Sequence, residues 1–181
     1  MVPKILRSET TYRGRAFSVR RDEVRFPDGH ETFYDIVDHA GAVALVPVDP
    51  SGKIWMVRQY RHSTAQVILE LPAGTLEPGE PPEACAAREC REEIGMAPGR
   101  LELLGEGFLA PGYSTEYMYF YLATDLSPSP LEGDQDEDLL VELVDPGQAQ
   151  TMLASRDLVD VKTMAGLFLA LPRLADMARR G

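Results

Sequence analysis

The chain has 181 residues, with 29 Asp or Glu against 18 Lys or Arg and a formal net charge of −11. Binding to a nucleic-acid backbone runs on Lys and Arg neutralising phosphates, so this balance, with no basic patch, excludes DNA or RNA as an expected partner. An apolar share of 44% suits one globular domain with a small appendage. The longest strongly apolar run, Met164 to Leu171, is far short of a membrane span, so no membrane partner is expected. The N-terminus MVPKILRSETTYR lacks the apolar stretch of a secretory signal. Cys85 and Cys90 are expected to point in different directions on one helix and imply neither a disulfide framework nor a zinc site. A reducing cytoplasm is the expected compartment. A small phosphorylated ligand stays open, provided metal ions and one or two arginines offset the local field.

Residues 1–40 read as a β segment. Thr11 to Phe26 alternates partially, Pro27-Asp28-Gly29 is a turn signal, and Glu31 to Asp38 predicts the second strand of a hairpin. So small a β piece is marginal alone and must pack on the main domain or on a second chain. Gly41 to Val48 is a near-continuous apolar run, the pattern of a central strand. Lys53 to Tyr60 and Val67 to Leu71 predict two more strands, the second ended by Pro72-Ala73-Gly74. An acidic helix follows from about Pro81 to Ile94, with prolines suited to its first turn and Gly95 as its stop. Strands are expected over Leu101–Leu109, Glu116–Thr124 and Leu139–Val144, and a surface loop over Ser127–Asp138. A short helix over Pro146–Ser155 precedes a last one from Val161 to Arg179. Its Met164, Leu167, Phe168, Leu171, Leu174 and Ala175 have the spacing of one buried face, and Pro172 is expected to kink it. This order predicts an α+β layered fold.

The window from Gly74 to Met96 carries the chemistry. Glu89, Glu92 and Glu93 are related by i,i+3 and i,i+4, so a helix sets all three on one side. Like charges at that spacing destabilise a helix, which points to a cation held between them. Carboxylates select hard ions such as Mg²⁺, which keeps waters and shares phosphate oxygens with its substrate. Glu80 is placed to reach back to Arg88 or to a metal, while Gly74 and Gly95 are backbone requirements.

The spacing fits G-x5-E-x7-R-E-U-x-E-E-x-G-U, with U apolar, through Gly74, Glu80, Arg88, Glu89, Cys90, Glu92, Glu93, Gly95 and Met96. Seven fixed identities at roughly 6% each recur by chance about once in 10⁸ to 10⁹ positions, so the pattern is specific. It resembles the Nudix box of the Nudix hydrolase family, departing only at Cys90, where the family carries Ile, Leu or Val. Cys packs as a small hydrophobe, so the departure is expected to leave the chemistry unchanged. The resemblance covers most of residues 41–180. It implies an α/β/α sandwich with a mixed sheet and the box as a loop–helix–loop, preceded by the additional antiparallel segment 1–40.

The resemblance also implies roles. Glu89, Glu93 and the backbone carbonyl of Ala73 would hold two or three Mg²⁺ ions, or Mn²⁺ in their place. Arg88 would orient a box carboxylate. A water attacking phosphorus must lose its proton, and the candidates to take it are Glu92, Glu93 or an acid on the loop before Leu139. Relatives of the ADP-ribose type carry a catalytic or metal-binding glutamate on that loop. Glu137 matches best and Asp136 stands in reserve. Pro111, fifteen residues beyond Met96, marks the ADP-ribose pyrophosphatase subgroup in the family. The runs Val57-Arg58-Gln59-Tyr60-Arg61, Glu70-Leu71-Pro72-Ala73-Gly74 and Pro111-Gly112 with Ser114, Thr115 and Glu116 resemble the same subgroup. Strand alternation sets Arg58 and Arg61 on opposite faces. The comparison favours Arg61 for the diphosphate, with Glu70 accepting from ribose or orienting Arg61, and leaves Arg58 a structural role. Phe33 or Tyr34 are candidates to stack on the base. In the relatives the N-terminal strands cross to a partner subunit, so a homodimer is expected.

The function expected from this resemblance is Mg²⁺-dependent hydrolysis of ADP-ribose to AMP and ribose 5-phosphate. The alternatives are hydrolysis of another nucleoside diphosphate sugar such as GDP-mannose, or a non-catalytic sensor of nucleotide sugars. The complete glutamate set argues against the sensor.

Overall fold

The computed structural model describes residues 2–133 and 139–180. The chain divides into two compact units, residues 1–41 with 107–118, and residues 42–106 with 119–181.

The first unit is built on a three-stranded antiparallel sheet of β1 (Lys4–Arg13), β2 (Ser18–Arg25) and β3 (Glu31–Asp38), with β2 central. The expected strand from Thr11 to Phe26 is two strands. The chain reverses between them, and Gly14 donates its N–H to the Phe17 carbonyl at 2.9 Å. Almost all of β1 is exposed, so no apolar alternation marks it in the sequence; backbone pairing to β2 holds it. Cross-strand ion pairs decorate the sheet: Arg21 meets Asp35 at 2.7 Å and Arg25 meets Glu31 at 2.6 Å. The segment 107–118 joins this unit through Val37, which donates its N–H to the Tyr113 carbonyl and accepts the Thr115 N–H.

After the first sheet the chain forms β4 (Ala42–Pro47), β5 (Ile54–Arg61), β6 (Gln66–Glu70), β7 (Ala73–Thr75), α1 (Pro82–Ile94), β8 (Met96–Ala97), β9 (Arg100–Phe108), β10 (Tyr117–Thr124), β11 (Ser127–Pro128), β12 (Leu140–Val144), α2 (Pro146–Ser155) and α3 (Val161–Arg180), which belong to the second unit except for the last two residues of β9 and the first two of β10. One sheet runs β7-β4-β10-β9 and another β12-β5-β6. Alternation on the strands sorts the core into two layers. Val43 and Leu45 of β4, Val57 of β5 and Tyr121 and Ala123 of β10 pack on Cys85, Ala86, Cys90 and Ile94 of α1. The alternate residues Val46, Ile54, Met56 and Leu122 pack on Ala149 of α2 and Leu167, Ala170 and Leu174 of α3. Helices therefore cover both faces of the strands, and the fold is α+β as the sequence implies.

Four details differ from the sequence reading. Ala73–Thr75 does not merely end a strand: it pairs with β4, Gly74 opposite Val43. Ser127 and Pro128, expected in a loop, pair with Ala97 and Met96. The buried stripe of α3 runs Thr163, Leu167, Ala170 and Leu174, and Phe168, one residue off that stripe, is 75% exposed. Cys85 and Cys90 both face the same core layer. Burial pushes the Cys90 thiol up to about 12, which keeps it protonated and inert.

Candidate active site

The helix α1 starts where Pro81 holds extended backbone (φ −65°, ψ 141°) and ends at Gly95, left-handed at φ 71°, whose N–H donates to the Cys90 carbonyl. Its buried stripe contains Glu89 and Glu93 beside the four apolar residues, each glutamate only 8% exposed. Buried carboxylates need partners, and the box supplies them. The Arg88 guanidinium donates to both oxygens of Glu80, Nε to Oε1 at 2.9 Å and Nη2 to Oε2 at 3.0 Å. Its Nη1 donates to Glu89 Oε1 at 2.6 Å and Glu92 Oε2 at 2.8 Å, and Nη2 reaches the Thr75 carbonyl at 3.3 Å. One cation thus ties three carboxylates to the loop before the helix. The Arg88 hydrogen bonds hold the Glu80 carboxyl at about 2, well below its ordinary 4.5.

Ala73 donates its N–H to Glu93 Oε2 at 3.3 Å. A Cβ on Gly74 would lie 1.8 Å from Glu89 Oε1, so the carboxylate occupies the space a side chain would fill. Glu93 and Glu89 are therefore seated on consecutive residues of β7. Hard oxygen donors at this point, the Glu89 and Glu93 carboxylates, are the chemistry a divalent ion takes. Among the described residues no three His, Cys, Asp or Glu side chains form a metal cluster. Carboxylate oxygens completed by waters are a donor set that suits a hard divalent cation.

A second charged group lies on β5 and β6. Arg61 donates from Nε to Glu70 Oε1 at 2.8 Å and from Nη2 to Oε2 at 2.7 Å, a bidentate fork. Glu70 is 2% exposed and also accepts from Lys162 Nζ. Burial pushes the Glu70 carboxyl up, but the Arg61 and Lys162 contacts outweigh it and hold the group below its ordinary value. Arg58, on the opposite face of β5, donates to Glu142 of β12 at 2.6 Å.

The structure brings Gly74, Glu80, Arg88, Glu89 and Glu92 into one knot, joins Glu93 to Ala73, and joins Arg61 to Glu70. In the first unit, Phe33 and Tyr34 on neighbouring positions of β3 are 61% and 44% exposed. Pro111 sits in the turn where Tyr113 and Ser114 donate their N–H groups to the Ala110 carbonyl, and the half-buried Glu116 accepts the Leu109 N–H on its carbonyl. Glu137 and Asp136 lie outside the described residues. Lys162, Asp160 and Thr163 escaped the sequence reading. Only Asp160, a cap residue just before an apolar helical pattern, carried a signal.

The NUDIX domain family matches residues 38–164, and the nucleoside diphosphate sugar hydrolase N-terminal domain matches residues 3–37. An ADP-ribose pyrophosphatase of Mycobacterium tuberculosis is 48% identical over 120 residues, 66% of this chain and 58% of that protein, so the match spans little more than half of that relative. An ADP-ribose pyrophosphatase of Bacillus subtilis is 35% identical over 162 residues, 88% of each chain. The crystal structure of an ADP compounds hydrolase superposes with a TM-score of 0.86 at 29% identity, covering 99% of this chain and 97% of that one. With the box in place on α1 and both domains matched in order, the chain belongs to the Nudix hydrolase family.

Proposed function

We propose that the protein is a Mg²⁺-dependent pyrophosphohydrolase that splits ADP-ribose into AMP and ribose 5-phosphate. The observation that carries this reading is the seating of Glu89 and Glu93 against Gly74 and Ala73, with Arg88 holding the remaining box carboxylates in order. Relatives bearing that activity in their names support the substrate.

Glu89, Glu93 and the Ala73 carbonyl would hold the metal, two or three Mg²⁺ ions or Mn²⁺ in their place. When bound, such ions neutralise the diphosphate and lower the pKa of a coordinated water. The protein's own residues do the rest. Arg61 donates to diphosphate oxygens from a guanidinium whose plane Glu70 fixes. Arg88 bridges Glu89 and Glu92 and orients both. Glu92, Glu93 or Glu137 takes the proton of the attacking water as the P–O–P bridge breaks. Phe33 or Tyr34 stacks on the base, and Pro111 and Glu116 shape the substrate pocket. Residues 1–40 form the dimer-building segment ahead of the hydrolase domain 41–181, and the working unit is a homodimer in the cytoplasm.

A second reading, another nucleoside diphosphate sugar as substrate, is favoured by the description of the family matched by residues 3–37. Incubation with Mg²⁺ and a panel including ADP-ribose and GDP-mannose, with chromatographic separation of products, distinguishes them. AMP and ribose 5-phosphate as the fastest-formed products support the first. Preference for another nucleotide sugar selects the second, and no turnover of any member leaves a non-catalytic sensor.

A further inference from the structure

The start of α3 is tied to the chain that leads into the box. Asp160 caps the helix: its Oδ2 accepts the Thr163 N–H at 3.0 Å, the Thr163 hydroxyl at 2.6 Å and Lys162 Nζ at 2.8 Å. The fully buried Thr163 Oγ1 in turn accepts the Leu71 N–H at 2.8 Å. Lys162 crosses to Glu70 Oε2. Two adjacent residues of α3 therefore grip two adjacent residues, Glu70 and Leu71, just ahead of Ala73 and Gly74.

The grip on Glu70 has a geometric consequence. A bidentate pair sets the plane of Arg61 only as firmly as the carboxylate plane is itself set. The terminal torsion of a glutamate is broad and two-fold, so Glu70 paired with Arg61 alone would leave the fork loosely aimed. Lys162, anchored at its other side by Asp160, holds one carboxylate oxygen and so restrains rotation of the Glu70 carboxylate plane. Its side chain is only 14% exposed, so it reaches Glu70 from inside the protein rather than from solvent.

We propose that Lys162 is a positioning residue for the diphosphate: pinned by Asp160, it locks the Glu70 carboxylate, which aims the Arg61 guanidinium. The inference rests on the reading above that Arg61 receives the diphosphate. Lys162 itself touches no substrate.

Steady-state kinetics with ADP-ribose and Mg²⁺ on the full chain test it, using K162M, K162R, E70Q, E70Q/K162M and R61A. K162M and R61A each leave Glu70 with one cationic partner, E70Q makes it neutral, K162R keeps a cation at both positions, and the double variant leaves no uncompensated carboxylate at position 70. K162M is expected to raise KM about tenfold with kcat within about threefold, the signature of lost binding rather than lost chemistry. K162R is expected to recover most of that loss. In the E70Q background K162M is expected to change KM by less than about twofold, because the two residues act as one unit. An unchanged KM in K162M beside a raised KM in R61A overturns the positioning role and spares the reading of Arg61. A K162M effect that multiplies in full on E70Q also overturns it, since Lys162 would then meet the substrate directly. An unchanged KM in R61A removes the reading of Arg61 and this inference with it. Should K162M fail to fold by circular dichroism, K162Q, which keeps a polar contact, takes its place under the same criteria.

Discussion

Arg88 is the residue on which the box geometry turns. Its single guanidinium serves Glu80, Glu89 and Glu92, and the Ala73 N–H serves Glu93. A glutamine in place of Glu93 preserves shape and removes charge. E93Q is expected to lower kcat at least about a hundredfold, within the range of a lost acid–base or metal-binding group, with an unchanged melting temperature in chelator. E137Q is expected to lower kcat at least about tenfold with little change in fold, and a wild-type rate discards that assignment. Glu80 links the knot to pH. Its carboxyl ionises near 2 in the folded chain against an ordinary 4.5. A lowered folded value contributes stability that is present in full above pH 4.5 and is lost as pH falls through 2. E80Q should therefore melt below the wild type at neutral pH, and the gap should close between those two values. A gap that stays constant with pH contradicts the assignment. The contacts of Arg88 with Glu89 and Glu92 need no assignment of long-range register, because the three residues share one helix at fixed spacing. That is why this part of the site was legible in the sequence. Glu70 and Lys162 are 92 residues apart, and no local pattern announces such a pair.

At the scale of elements, α3 is pressed onto the strands at Gly166, where an added Cβ would come 2.5 Å from Leu71 Cδ1. Leu167, fully buried in the layer with Val46, Met56 and Leu122, fills the space beside it. L167A is expected to cost about 3 kcal/mol, or roughly 6–12 °C in melting temperature for a chain of this size. Thermal unfolding checks it, and a loss below about 1 kcal/mol would mean that the layer collapses to fill the gap. The elements that the sequence revealed clearly are those with buried residues in a run or on a periodic face: α1, β4, β5 and β10. The one that stayed hidden, β1, is exposed along most of its length, so hydrophobic periodicity has nothing to report. The two-residue pairing of β8 with β11 was equally silent, being too short to carry a pattern. Phe168 was misjudged because a helix turns about 100° per residue, enough to carry a neighbour of the buried Leu167 out to solvent.

For the molecule as a whole, the N-terminal sheet leaves Ile5, Tyr12, Phe17, Phe33 and Tyr34 exposed on a single chain. These are the side chains that the second copy proposed above would cover. Sedimentation velocity at working concentration is expected to show a dimer, and a monomer there counts against it. No described helix is long and apolar enough to cross a membrane. One consequence follows from the way the box holds itself together. Because a covalently attached cation already sits among its acids, stripping the divalent ions should silence turnover without melting the fold, unlike small zinc domains that collapse when their metal is taken away. The enzyme would wait as a folded, switched-off reserve until divalent ions return.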